Sequence, residues 1–109
     1  MLRLEFLLKN KQISLNHILV VKGLLDPLLL FAISNGFNTG YVIRREILAT
    51  SKIMISFGTL YPHLHMLEEQ GYLSSEKVVP ESGNIRRIYT ITSKGEQELR
   101  MIFKERENI

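Results

Sequence analysis

The stretch SFGTLYPHLHMLEEQG, residues 56–71, decides how the chain is read. Ser56 carries the side-chain oxygen that caps a helix N-terminus, and Gly71 stands where a left-handed residue ends one, so a helix is expected over residues 56–70. At about 100° per residue, Phe57, Leu60, Leu64 and Leu67 fall on one face and Gly58, Pro62, His65 and Glu69 on the other. Thr59 and Met66 lie on one shoulder and Tyr61 on the opposite one. Pro62 inside a helix costs about 3 kcal/mol, because its ring opposes the carbonyl four residues back. Here that carbonyl belongs to Gly58, a residue able to bend away. A helix that carries such a cost on its outward face is shaped to dock against something.

Working toward the N-terminus, Asn38 and Thr39 offer a cap for GYVIRREILATS, residues 40–51, with Val42, Ile43, Ile47 and Leu48 inward and Arg44, Arg45 and Glu46 outward. Residues 50–55 read as a connector. Before them, Asp26 followed by Pro27 gives a capping carboxylate and a ring whose missing N–H falls where no intrahelical partner exists. The nearly all-apolar helix that follows ends near Asn35-Gly36. Ser14 caps a short helix through LNHILVVK, closed by Gly23. Residues 1–13 admit two readings: Leu2, Leu4, Phe6 and Leu8 alternate as in a strand, whereas Leu4, Leu7 and Leu8 share a helix face. The helical reading is carried forward.

Toward the C-terminus, YLSSEKVV and IRRIYTIT flank the loop PESGN, the pattern of a β-hairpin. Ile85, Arg87, Tyr89 and Ile91 share one face of the second strand and Arg86, Ile88, Thr90 and Thr92 the other. Ser93 with Glu96 forms a capping box that opens a final helix. Its apolar stripe of Leu99, Ile102 and Phe103 is wide enough to pack on one neighbour, such as another chain. Three helices followed by a hairpin give the winged-helix arrangement, mainly α with a β-hairpin wing. We expect one domain over residues 1–109: an N-terminal extension at 1–22, a winged-helix core at 26–92 and a C-terminal helix at 93–109. The terminal helices are expected to form a dimer interface through Leu4, Leu7, Leu8, Leu99, Ile102 and Phe103.

Composition narrows the function. A chain of 109 residues with 45% hydrophobic residues is one ordinary globular domain. It has no Cys, so disulfides, thiolate zinc sites and thiol nucleophiles are excluded. Asp26 is its sole aspartate and is read as a cap, and no glycine-rich phosphate loop is present, so an enzyme is not expected and neither is a cofactor. His63 and His65 are two residues apart and diverge on a helix, so no metal site is expected. The apolar run from Ile18 to Ile33 is broken by Lys22, Asp26 and Pro27, too soon for a membrane helix. With no cleavage signal near the N-terminus, a soluble, cytoplasmic protein is expected. The net charge of +3 is spread without a like-charge block, and residues 38–71 net to zero, so nucleic-acid binding would rest on folded placement of a few cations.

Five motifs occur in order: KGLLDPLLLFAI at 22–33, Gly40-Tyr41, GTLYP at 58–62, LEEQGYL at 67–73, and Tyr89, Thr92 and Gly95 in a Tyr-x-x-Thr-x-x-Gly pattern. Over about residues 22–100 the chain resembles the PadR-like family of winged-helix transcriptional regulators. The resemblance implies a homodimeric repressor that binds double-stranded DNA, with the helix at 56–70 in the major groove and the hairpin at 72–92 as wing. It also implies that a small hydrophobic effector is among the partner classes to consider.

The candidate DNA contacts follow. Arg86 and Arg87 stand just past the wing loop, where guanidinium groups meet phosphates, or else form an ordinary solvated strand start; Lys77 across the hairpin joins their patch. Ser56, Thr59 and Tyr61 cluster at a helix N-terminus, which favours phosphate. Ser56 reads equally as a simple cap, and Tyr61 as half-buried beside Leu64. His65, outward, and His63, nearer the core edge, complete the set. Arg44 and Arg45 either touch the backbone or pair with Glu46, Glu68 or Glu69. Met54, Met66 and Met101 read as gap-fillers of a core or interface. An adaptor that keeps the fold but binds protein instead of DNA is the second function consistent with so modest a charge.

Overall fold

The computed structural model describes residues 3–4, 25–52 and 54–107. The helices expected before residue 24, with Leu7 and Leu8, lie outside the described residues, as does the side chain of Phe103. Helices α1 (Leu25–Ser34), α2 (Gly40–Ser51) and α3 (Phe57–Glu69) precede strands β1 (Leu73–Val78) and β2 (Arg86–Ile91), and α4 (Ser93–Glu107) closes the order. This is the winged-helix arrangement expected from the sequence.

Helix α1 is buried along six consecutive residues, Leu28 to Ile33, because it lies at the centre and touches α2, α3, β2 and α4. Asp26 is not the cap that was expected, since Leu25 before it is already helical, and its carboxylate meets His63 Nδ1 at 2.8 Å. Helix α2 is capped as expected, Thr39 Oγ1 accepting from Val42 N–H at 3.2 Å. Glu46 corrects the outward assignment. It is only 3% exposed, and its carboxylate accepts from Arg3 Nε at 2.7 Å and from the Leu4 backbone N–H at 3.3 Å. A buried carboxylate needs such partners, and these come from a segment more than forty residues away, beyond the reach of helical periodicity.

Helix α3 turns into the hairpin through Gly71, whose φ of 85° places it in the left-handed region that glycine tolerates. Gly71 N–H bonds Glu68 O and Tyr72 N–H bonds Leu67 O, both at 3.0 Å, which satisfies the last carbonyls of α3 and reverses the chain within two residues. The strands pair antiparallel from Leu73↔Ile91 to Val78↔Arg86. Tyr89 N–H donates to Asn38 O at 2.8 Å, so the segment before α2 leans on the outer edge of β2.

The cap of α4 is Thr92 rather than Ser93. Thr92 Oγ1 accepts from Gly95 N–H at 3.1 Å and donates to Gly71 O at 2.6 Å. That second bond to the α3 turn is open to Thr92 and explains its selection over the neighbouring hydroxyl. Leu4 and Leu99, assigned to a dimer interface, are buried within this chain's own core and so are already occupied. Ile102 stays half-buried. Met54, Met66 and Met101 are exposed and fill no core gap.

Tyr89 is buried where β2 meets the helices. Burial pushes its phenol above the ordinary 10.0, against a smaller opposing effect of Arg87. The folded state therefore holds this proton more tightly than the unfolded chain. The associated stability is complete below pH 10 and is lost as pH rises through the raised value. Phenolate absorbance should show one tyrosine ionising above the ordinary range, and that transition should vanish in Tyr89→Phe. A Tyr89→Phe profile identical to that of the unaltered protein would contradict the assignment.

Candidate nucleic-acid interface

Two faces of α3 differ sharply. Leu60, Leu64 and Leu67 are buried, while Gly58, Thr59, Tyr61, Pro62, His65, Met66 and Glu69 are exposed. Pro62 thus lies on the open face, as the sequence implies, where its missing N–H removes one bond without disturbing the core. At the helix start, Ser56 Oγ accepts from Thr59 N–H at 3.2 Å and its hydroxyl donates to Thr59 Oγ1 at 3.2 Å. Both side chains remain open to solvent, so the capping role leaves them available.

Aromatic packing departs from the helical wheel. Phe57, assigned to the core face, is 38% exposed; Tyr61 stacks on it with ring centroids 5.5 Å apart. The Arg44 guanidinium lies 4.6 Å over the Phe57 ring, and Arg44 Nε donates to Ile55 O at 2.8 Å. Arg44 therefore fixes the connector between α2 and α3 instead of pairing with Glu46, Glu68 or Glu69. Tyr61, 43% exposed, stacks on Phe57, its hydroxyl reaching the backbone of Gly40.

The two histidines separate as their spacing requires. His65 is exposed and its Nε2 lies 2.8 Å from Glu69 Oε1, one turn on. His63 is a correction among the candidate DNA contacts. It is half-buried and tied to Asp26 on α1, turned away from the open face. Among the described residues no group of three or more His, Asp and Glu could hold a metal ion, and no helix is long and apolar enough to cross a membrane.

The wing supplies the cations. Lys77 pairs across the hairpin with Arg87, and Lys77, Arg86 and Arg87 are all exposed. The sequence missed a link between wing and helix. Arg87 Nη1 donates to Ser75 Oγ at 2.9 Å, and the Ser75 hydroxyl in turn reaches the Glu68 carboxylate on α3 at 2.7 and 2.8 Å. Strand alternation puts Ser75, Arg87 and Tyr89 on the face turned to the helices, a signal that points to Ser75 once the hairpin register is known. The arrangement is an exposed helix face carrying the hydroxyls of Thr59 and Tyr61, with Arg86 and Arg87 of the wing sharing a cleft with Tyr61. It can accept a polyanion along the wing while the helix reaches into a groove.

A sequence model of the transcriptional regulator PadR-like family matches residues 29–101. Among solved structures, the chain is similar to a PadR-like transcription factor from Bacteroides fragilis, with TM-score 0.72 and 25% identity over 87% of this chain and 91% of that one. A PadR-like transcriptional regulator from Bacillus cereus gives TM-score 0.66 and 26% identity, over 80% of this chain and 84% of that one. A PadR family transcription regulator from Clostridium difficile gives 0.68 and 25%, over 76% and 86%. No curated protein sequence matches the chain.

Proposed function

The chain belongs to the PadR-like family of transcriptional regulators, and from that membership we propose that it is a sequence-specific DNA-binding regulator, a homodimeric repressor that lays α3 in the major groove and the hairpin along the flanking backbone. The observation that carries this reading is the two-sidedness of α3, whose three leucines anchor it while Thr59, Tyr61 and His65 stand open, Tyr61 sharing a cleft with Arg86 and Arg87. Two copies would present two such helices about one duplex turn, roughly 34 Å, apart and so read a near-palindrome. On α4, Ile102 and the exposed Met101 are the described apolar residues left for a second copy.

The test is a gel-shift titration against genomic fragments across salt concentrations. We expect a preferred fragment and an affinity that falls as salt rises. Arg86→Ala with Arg87→Ala should reduce the slope of log affinity against log salt by about 0.9 for each phosphate no longer neutralised, and leave the preferred fragment unchanged. No preferred fragment, together with an affinity indifferent to salt, would sink the reading in favour of a protein-binding adaptor.

A further inference from the structure

Helices α2 and α3 are joined at two levels. In the interior, Ile43 and Ile47 of α2 and Leu60 and Leu64 of α3 belong to one core cluster and are fully buried. At the solvent rim a second set of contacts runs between the same helices. The Arg44 guanidinium carbon lies 4.6 Å over the Phe57 ring, and the Tyr61 hydroxyl packs on Gly40, where an added Cβ would stand 2.5 Å from its oxygen. Gly40 and Arg44 are one turn apart on α2, and Phe57 and Tyr61 are one turn apart on α3. The contacts therefore form two rungs, 40 with 61 and 44 with 57, braced by the stacking of the two rings at 5.5 Å. We propose that Arg44 is a positioning residue for sequence recognition, fixing through this ladder the angle at which α3 leaves α2, and so the discrimination among DNA sequences, without itself touching the duplex. The inference rests on the DNA-binding reading given above.

The connector needs such a brace. The chain leaves α2 through Lys52, whose φ of 65° is a left-handed conformation that disfavours any residue with a side chain. Three residues on, Arg44 Nε donates to Ile55 O at 2.8 Å and holds the residue just before the Ser56 cap. One guanidinium thus binds the connector through its edge and the first residue of α3 through its face. A planar group with fixed donors can do both at once, which a lysine ammonium cannot. Arg44 is half-buried, so salt screens these contacts less than fully exposed ones. Leu60, Leu64 and Leu67 lie along one face of α3, and a helix seated on a single line of leucines can still roll about it. The rim contacts oppose that roll at the N-terminal end, where Thr59 and Tyr61 stand open. Reading base edges requires side chains held to about 0.5 Å, whereas attraction to phosphates tolerates looser geometry. Stiffness at this corner is therefore spent on discrimination more than on affinity.

The experiment measures, by fluorescence anisotropy at several salt concentrations, the affinity of the full chain for the duplex it selects from random sequence and for a mixed-sequence duplex. Thermal melts accompany every variant. Arg44→Lys keeps the charge and loses both the Nε donor and the planar face. It should lower the ratio of the two affinities about tenfold, the worth of a hydrogen bond to a charged group, and leave the salt slope on the mixed-sequence duplex unchanged. Gly40→Ala, whose methyl displaces the Tyr61 ring toward solvent, should lower the same ratio with no loss in Tm, because alanine favours a helix more than glycine does. Loss of discrimination without loss of stability is a result that a merely structural role would not give. An unchanged ratio in Arg44→Lys or in Gly40→Ala overturns the inference and leaves the regulator reading intact. A salt slope lowered by about 0.9 in Arg44→Gln would make Arg44 a phosphate contact and also overturn it. If the unaltered protein binds no duplex at any salt, the regulator reading fails and this inference with it.

Discussion

Gly95→Ala should destabilise the protein by about 3 kcal/mol, the upper end of the usual overpacking cost, although the same change in an ordinary helix interior stabilises by about 1 kcal/mol. The reversal comes from where α4 sits. A Cβ at residue 95 would collide with Tyr72 O and lie 2.7 Å from Ile91 Cγ1. Tyr72 O is not free to move aside, because it accepts the Thr92 N–H at 3.0 Å at the base of the hairpin. Relief would require α4 to back away from the strands. That in turn strains the cap in which Gly95 N–H donates to Thr92 Oγ1 and Thr92 bonds the α3 turn. Tyr89, Thr92 and Gly95 thus stand at three-residue intervals as the buried strand residue, the cap and the close approach of one junction. Urea unfolding should show a lower midpoint with an unchanged slope. A midpoint equal to or above that of the unaltered protein would show that the junction has room.

Leu64→Ala should cost about 3–5 kcal/mol, the range for removing a large buried side chain from a packed site. Leu64 is 0% exposed and lies in the core between Leu60 and Leu67 of the same helix. For a domain of this size the loss corresponds to a fall in Tm on the order of 10–20 °C, measured by circular dichroism. The neighbouring His65 is exposed, so His65→Ala should stay within about 0.5 kcal/mol of the unaltered protein. The contrast between two adjacent positions is the sharpest check on the orientation of α3. A comparable loss in both variants would mean that the helix is rotated from the position described.

Much of the fold was legible because its signals are local. Leucines at 60, 64 and 67 mark one helix face, Gly71 marks the reversal, and PESGN separates two β-branched runs. What escaped depends on contacts between distant segments. Glu46 looks outward until Arg3 and the Leu4 amide arrive to satisfy it. Asp26 looks like a simple cap until His63, 37 residues on, is brought against it. Phe57 fits the buried stripe, but the Arg44 guanidinium takes one face of its ring and leaves it at the rim. Of the candidate interface, the exposed residues of α3 and the wing cations could be read from period and hairpin register. The meeting of Gly40 with Tyr61 could not, since nothing near either residue encodes the other.

The bond from Arg87 to Ser75, and from Ser75 to Glu68, also bears on how tightly such a surface can hold its ligand. A free arginine carries about 2 kcal/mol of rotamer entropy, some of which is lost when it settles on a phosphate. Arg87 has surrendered part of that freedom during folding, because Ser75 already orients its guanidinium. In the proposed DNA complex the wing would therefore be preorganised at this position, and less of the attraction would be cancelled on docking. Restraint of this kind lengthens the lifetime of a complex more than it speeds its formation.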